Sequence, residues 1–158
     1  MDDIGTPFPA VLTLGRCMEL LSGGGYGRVA VTEQALPVIV PVNYCLAGGG
    51  ELLIATGSRT GLVNRARDTV ITFEAGGVDA AGWAWSVTVT GYARPLAAGQ
   101  RERARGPWAP GAEEELLCLE TTEVDGRVFP LLNSADGHGA AVPWPGGAPA
   151  GASCTSGG

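Results

Sequence analysis

The residues of this chain best suited to chemistry are Thr56-Gly57-Ser58-Arg59-Thr60, where an apolar strand runs into a glycine, two further hydroxyls and a guanidinium. Ser58 stands where an N-cap would start a short helix over Ser58 to Arg67, with arginines toward its end. Unpaired N–H groups at a helix start point outward, the dipole favours negative charge there, and hydroxyls with a guanidinium add charge-assisted donors. A phosphate monoester is the ligand such a set suits. An ordinary capped helix with a solvated arginine has the same local sequence, so context must separate the two.

Other chemistries are closed by composition. All ten basic residues are arginine, which removes a Schiff-base lysine and the lysine of a phosphate loop. A net charge of -6 argues against a nucleic-acid partner. The four cysteines, Cys17, Cys45, Cys118 and Cys154, form no C-x-x-C pair and have no histidine beside them, so no metal site is expected. They read as reduced thiols, with Cys45 and Cys118 as small buried hydrophobes, which implies a cytoplasmic location. Ser134, Asp136 and His138 lie too close together in a Gly/Pro-rich segment to be held as a catalytic triad. The Gly23-Gly24-Gly25-Tyr26-Gly27 run lacks the G-x-G-x-x-G spacing of a dinucleotide fold. Met1-Asp2-Asp3 is acidic where an export signal is basic, and Pro37, Pro41, Asn43 and three glycines interrupt the most apolar stretch, so no membrane association is expected.

The elements that must position the candidate corner are mostly strands. Val11 to Leu21 has helical spacing, with Thr13 as a possible N-cap and Ser22-Gly23-Gly24-Gly25 as a stop. Six β-rich runs then follow: Arg28–Thr32, Leu36–Cys45, Glu51–Thr56, Thr69–Ala75, Trp83–Leu96 and Glu115–Glu123. Short turns between them favour antiparallel pairing, and a sheet that long closes into a barrel. The spacing predicts a mainly β protein with a few short helices and a six-stranded antiparallel β-barrel. Residues 1–11 read as an arm, 12–133 as the domain and 134–158 as a disordered Gly/Pro-rich tail; Ala97 to Arg105 reads as an exposed helix.

Five segments carry a family resemblance by their order and spacing: Gly27 to Val31, Leu36 to Tyr44, Ala55 to Thr60, Trp85 to Ala93 and Pro107 to Gly111. Together they resemble the pyridoxamine 5′-phosphate oxidase-like FMN-binding split-barrel family, particularly its small actinobacterial-type members, over Leu12 to Gly126. The resemblance implies that Pro41, Val42, Asn43 and Tyr44 lie along the isoalloxazine ring and that Thr56, Ser58, Arg59 and Thr60 hold the phosphate. It implies that Trp85 and Ser86 sit on the strand facing the flavin. It also implies a homodimer with FMN between subunits, to which Trp108 could come from the partner. Without it, Trp83, Trp85 and Tyr92 read as core or dimer aromatics.

The chain departs from the family pattern at two places. Thr60 stands where many members carry lysine, leaving Arg59 as the sole full charge of the corner. The C-terminal segment lacks the Arg, His and Trp residues with which the true oxidase grips its vitamin substrate, so that activity is not expected. The expected function is therefore that of an FMN-dependent oxidoreductase acting on a small molecule, with no catalytic residue identified. Two alternatives are an F420-binding reductase of the same fold, with Arg59, Arg65 and Arg67 meeting the longer acidic tail, and a non-catalytic flavin- or haem-binding dimer.

Overall fold

Val29 and Val31, Val40 and Val42, Ile71 and Phe73, and Val87 and Val89 each recur with a period of two. Each strand therefore has one apolar face, and those faces turn inward to form one core with Tyr44, Leu52, Ile54, Leu117 and Leu119. The computed structural model describes residues 10–80, 82–96 and 114–131. In chain order the elements are β1 Ala10–Val11, α1 Leu14–Ser22, β2 Gly25–Glu33, β3 Leu36–Leu46, β4 Leu52–Gly57, a 3-10 turn Ser58–Thr60, α2 Leu62–Ala66, β5 Thr69–Val78, β6 Trp83–Pro95, β7 Glu114–Leu119 and β8 Glu123–Pro130.

All strand pairings are antiparallel, in the order β1-β8-β6-β5-β2-β3-β4-β7, with β6 also pairing β7. The last pairing closes β2, β3, β4, β7, β6 and β5 into a six-stranded barrel, as the sequence predicts, and leaves β8 and β1 as an extension. β6 is the shared strand. Its first part, to Thr90, pairs β8, and its last residues, from Ala93, pair β7. Gly91 lies at that handover, where an added Cβ would stand 1.7 Å from the Glu120 carbonyl oxygen.

β2 and β3 are joined by Gln34 and Ala35, both at positive φ (48° and 65°), the backbone of a two-residue hairpin turn whose twist suits antiparallel strands. α1 begins at Thr13, whose hydroxyl accepts from the Arg16 N–H at 3.3 Å, and buries Cys17 and Leu21. Gly126 of β8 has room only for hydrogen, since a Cβ there would stand 2.3 Å from Cys17 Sγ; that absence lets α1 sit down on the sheet.

Three expectations need correction. The predicted last strand is two, because the chain turns at Glu120–Thr122 before β8. The helix predicted from Ser58 to Arg67 is a 3-10 turn and a five-residue α2, divided by Gly61 at φ 63°. Ser58 caps neither; the cap positions are Gly57 and Gly61. Cys17 and Cys118 are free and buried, but Cys45 is disulfide-bonded, so the expected cytoplasmic location keeps only the two free thiols as support. Among the described residues no helix is long and apolar enough to cross a membrane. The predicted helix at Ala97 to Arg105, Trp108 and the C-terminal tail lie outside the described residues.

Candidate functional site

Side chains that alternate away from the core on β3, β2, β5 and β6 cover one broad outer wall. Cross-strand register sets them in rows: Pro41 beside Arg28, Arg28 beside Glu74, and Glu74 beside Thr88. One row over, Asn43 lies beside Tyr26, and Gly76 beside Ser86. A third row runs Ile39, Ala30, Thr72, Thr90, with the Thr72 and Thr90 hydroxyls 2.9 Å apart. Ile39 and Val70 are each 67% exposed on this wall, and Tyr26 and Tyr92 are exposed as well.

A polar network crosses the wall. The Arg28 guanidinium donates to Glu74 Oε2 at 2.9 Å and lies over the Tyr26 ring at 5.4 Å, and the Ser86 hydroxyl donates to Glu74 Oε1 at 3.0 Å. Glycines make the room for it. A Cβ on Gly76 would stand 3.1 Å from Glu74 Oε1, and one on Gly77 would stand 2.9 Å from Trp85 Nε1. The Glu74 carboxylate thus lies over one glycine and the Trp85 indole over the next.

Asn43 and Pro41 of the predicted set project onto this wall, whereas Val42 and Tyr44 project into the barrel. Tyr44 is 2% exposed, packs edge-on to Phe73 at 4.8 Å, and burial pushes its phenol up to about 12. The side chains of Val42 and Tyr44 are therefore core. Trp85 and Ser86 divide in the same way: Ser86 joins the outer network, and Trp85, on the opposite face of β6, packs against the core.

The ladder between β3 and β4 runs from Leu46–Leu52 to Asn43–Ala55 and stops there. Pro41 and Val42 therefore run free of Thr56 and Gly57, and the Ser58–Thr60 turn springs from that opening. Its hydroxyl protons can be followed. Thr60 Oγ1 donates to the Gly57 carbonyl at 2.9 Å and accepts from the Leu62 N–H at 3.2 Å, so Thr56 Oγ1, 2.9 Å away, must donate to it. Neither threonine has a proton left for an anion; both shape the turn.

Arg65 braces the same turn. It pairs with Glu33 at the end of β2 and donates to the Thr60 carbonyl. Ser58 and Arg59, by contrast, are exposed and their side chains have no partner among the described residues. Arg16, Arg28, Arg65, Arg94 and Arg127 are each ion-paired. Arg59 thus has no ion pair among the described residues, and it stands next to Ser58 on the turn that springs from the β3–β4 opening. Among the described residues no group of three or more His, Cys, Asp or Glu could hold a metal ion.

Residues 14–128 match the pyridoxamine 5′-phosphate oxidase family. The chain belongs to that family. Its match to the uncharacterized protein Rv0080 of Mycobacterium tuberculosis is 31% identical over 118 residues, 69% of this chain and 78% of the relative. A solved structure described as an FAD binding protein from Mycobacterium smegmatis superposes with a TM-score of 0.59 at 27% identity, covering 76% of this chain and 97% of that one. A putative pyridoxamine 5′-phosphate oxidase from Corynebacterium glutamicum superposes with a TM-score of 0.65 at 25% identity, covering 82% of this chain and 100% of that one.

In this member of the pyridoxamine 5′-phosphate oxidase family, sequence reasoning misses Arg28 and Glu74 as part of the outer wall. The signal is present. Both occupy polar positions of alternating strands, each flanked by inward apolar residues, but only the cross-strand register joins residues so far apart in sequence.

Proposed function

We propose that this chain binds a flavin nucleotide, FMN as the first candidate, with the phosphate at Ser58 and Arg59 and the ring over the outer wall between β3 and β6, and that it acts as an oxidoreductase on a small molecule. The observation that carries the reading is that Arg59, on the turn at the β3–β4 opening, has no ion pair among the described residues, where the other described arginines, Arg67 apart, are ion-paired. A helix N-terminus contributes little, because α2 has five residues and no side-chain cap. The anion site is therefore a guanidinium and one hydroxyl on a braced turn.

The residues present fit the group. Arg59 can form a charge-assisted pair with a phosphate and Ser58 can donate to it. Tyr26, Pro41, Asn43 and Ser86 offer a flat, half-apolar surface with polar edges for a planar ring. A bound flavin would supply the electron chemistry. The chain's own task is to bind, orient and shield, and no acid or base among the described residues stands out for proton transfer. The FAD binding protein from Mycobacterium smegmatis supports the flavin class. F420 is less well served, because Arg65, one of the three arginines its acidic tail would call on, is committed to Glu33 and the Thr60 carbonyl.

A homodimer belongs to the same proposal. The wall carries Ile39, Val70 and Tyr92 exposed in neighbouring rows, apolar area that a second copy would cover along with a ring lying between the two. The test is the absorption spectrum of the freshly purified protein, followed by titration with FMN, FAD and F420. A yellow protein, or saturable uptake of FMN or FAD, is the expected result. A colourless protein that takes up neither overturns the reading.

A further inference from the structure

Ser86 has one hydroxyl proton, and that proton is already placed. It goes to Glu74 Oε1 at 3.0 Å, while Glu74 Oε2 accepts from Arg28 at 2.9 Å. The carboxylate is held from both ends, by a guanidinium of one neighbouring strand and a hydroxyl of the other. Gly76, between Glu74 on its own strand and Ser86 across the ladder, leaves the gap that the carboxylate crosses, since any Cβ there would stand 3.1 Å from Oε1 and 2.9 Å from the Trp85 carbonyl oxygen. A hydroxyl that donates to a charged acceptor in a half-buried place does not readily turn its proton elsewhere. What remains on Ser86 Oγ is lone pairs.

We infer that Glu74 is a positioning residue that fixes Ser86 as a hydrogen-bond acceptor, so that this point of the wall selects the N–H edge of a bound ring over its carbonyl edge. The inference rests on the flavin reading above. It commits to one chemistry, because an oxidised isoalloxazine ring carries a single N–H, at N3, between two carbonyls. A Ser86 free to rotate would donate to either carbonyl and choose nothing. One held by Glu74 accepts from N3–H and is repelled by carbonyl oxygen.

The experiment compares the dissociation constants of FMN and FAD with those of their N3-methyl analogues, which lack that hydrogen. The comparison is made on the full-length protein and on Ser86→Ala and Glu74→Gln. The wild-type protein is expected to prefer the unmethylated flavin by about tenfold, the upper range of one hydrogen bond. Ser86→Ala should reduce that preference to near unity. Glu74→Gln, whose amide can donate to Ser86 and release its proton, should reduce it severalfold. The ratio is the readout because general loosening of the wall weakens both ligands alike.

Failure of the wild-type protein to bind any flavin overturns the flavin reading, and this inference with it. Binding without a preference, or a preference that survives Ser86→Ala, overturns the inference and leaves the flavin reading standing. A preference lost in Ser86→Ala but unchanged in Glu74→Gln overturns the role of Glu74.

Discussion

The barrel presents two outer walls built by the same alternation, and they finish differently. On β4 and β7 the outward residues are Leu53, Ala55, Leu116 and Cys118, which gather with Leu96 into a second small apolar cluster that is already largely buried. On β3, β2, β5 and β6 the outward residues are Ile39, Arg28, Glu74, Val70 and Tyr92, and most of that area faces solvent. The first wall has spent its apolar surface within the chain. The second combines exposed apolar side chains with a fixed polar network, the mixture expected of a surface that something else covers. The β3–β4 opening, with Arg59 at its mouth, lies between the two.

The strongest way to break this comparison is to remove the strand both walls share. β6 serves the closed wall through β7 and the open one through β5 and β8, and it changes partner at Gly91. Gly91→Ala would bring a methyl into the Glu120 backbone, which is tied by its own N–H to the Tyr92 carbonyl at 3.0 Å. The collision is with backbone, so no side chain can turn aside. Urea unfolding is expected to show a loss of about 3 kcal/mol or more, enough to abolish the fold in a marginal domain. A variant with wild-type stability would mean that β6 passes from β8 to β7 with slack.

Next comes the exposure of the open wall. Val70→Glu or Ile39→Glu adds a carboxylate where an apolar side chain already faces water, so the isolated barrel should keep its melting temperature. Across a twofold axis each change acts twice, and the dimer should lose roughly 3 kcal/mol or more, read as a monomer by light scattering. A dimer that survives both changes would move the contact to another surface.

How much of the molecule is legible in its sequence depends on how local each feature is. The barrel is legible because alternation in runs such as Val87-Thr88-Val89-Thr90 depends only on neighbouring residues. The break at Glu120–Thr122 is hidden, since nothing in Glu115 to Glu123 marks a turn as glycine or proline would. Val42 and Tyr44 are assigned to the ring with Pro41 and Asn43 because a motif is a stretch, whereas a strand sorts its residues by parity. Ser58 looks like a cap because its type is right; the left-handed Gly61 overrides it by ending the first turn after three residues. Arg59 and Arg65 are indistinguishable as residue types. Only the fold shows that Arg65 meets Glu33 and that Arg59 meets no carboxylate among the described residues.

That pair gives the next prediction. Arg59→Ala should weaken flavin binding about tenfold to a hundredfold, the 1.5–3 kcal/mol range for a hydrogen bond to a charged group, with the melting temperature unchanged. Arg65→Ala should do the reverse first, lowering stability by about 1 kcal/mol as the ties to Glu33 and the Thr60 carbonyl are lost. Equal effects of the two on both measurements would erase the distinction between a bracing arginine and a binding one.

The smallest effect at neutral pH is expected from Tyr44, and it tests whether inward parity keeps a residue from the ligand. Its phenol is pushed from 10 up to about 12 by burial, and its hydroxyl has no hydrogen-bond partner among the described residues. Below pH 10 it is protonated whether the chain is folded or not, so it contributes no pH dependence there. Between pH 10 and about 12 the unfolded chain releases the proton while the folded chain keeps it, and stability falls as pH rises. Tyr44→Phe should leave stability and flavin affinity at pH 7 nearly unchanged and should flatten that alkaline decline. Cys118, raised to about 11 by burial, contributes a loss of the same sign in both proteins and cancels in the difference. If Tyr44→Phe instead weakened flavin binding at pH 7 as much as Arg59→Ala, the ring would have to reach the barrel interior, and the outer wall would no longer be the site.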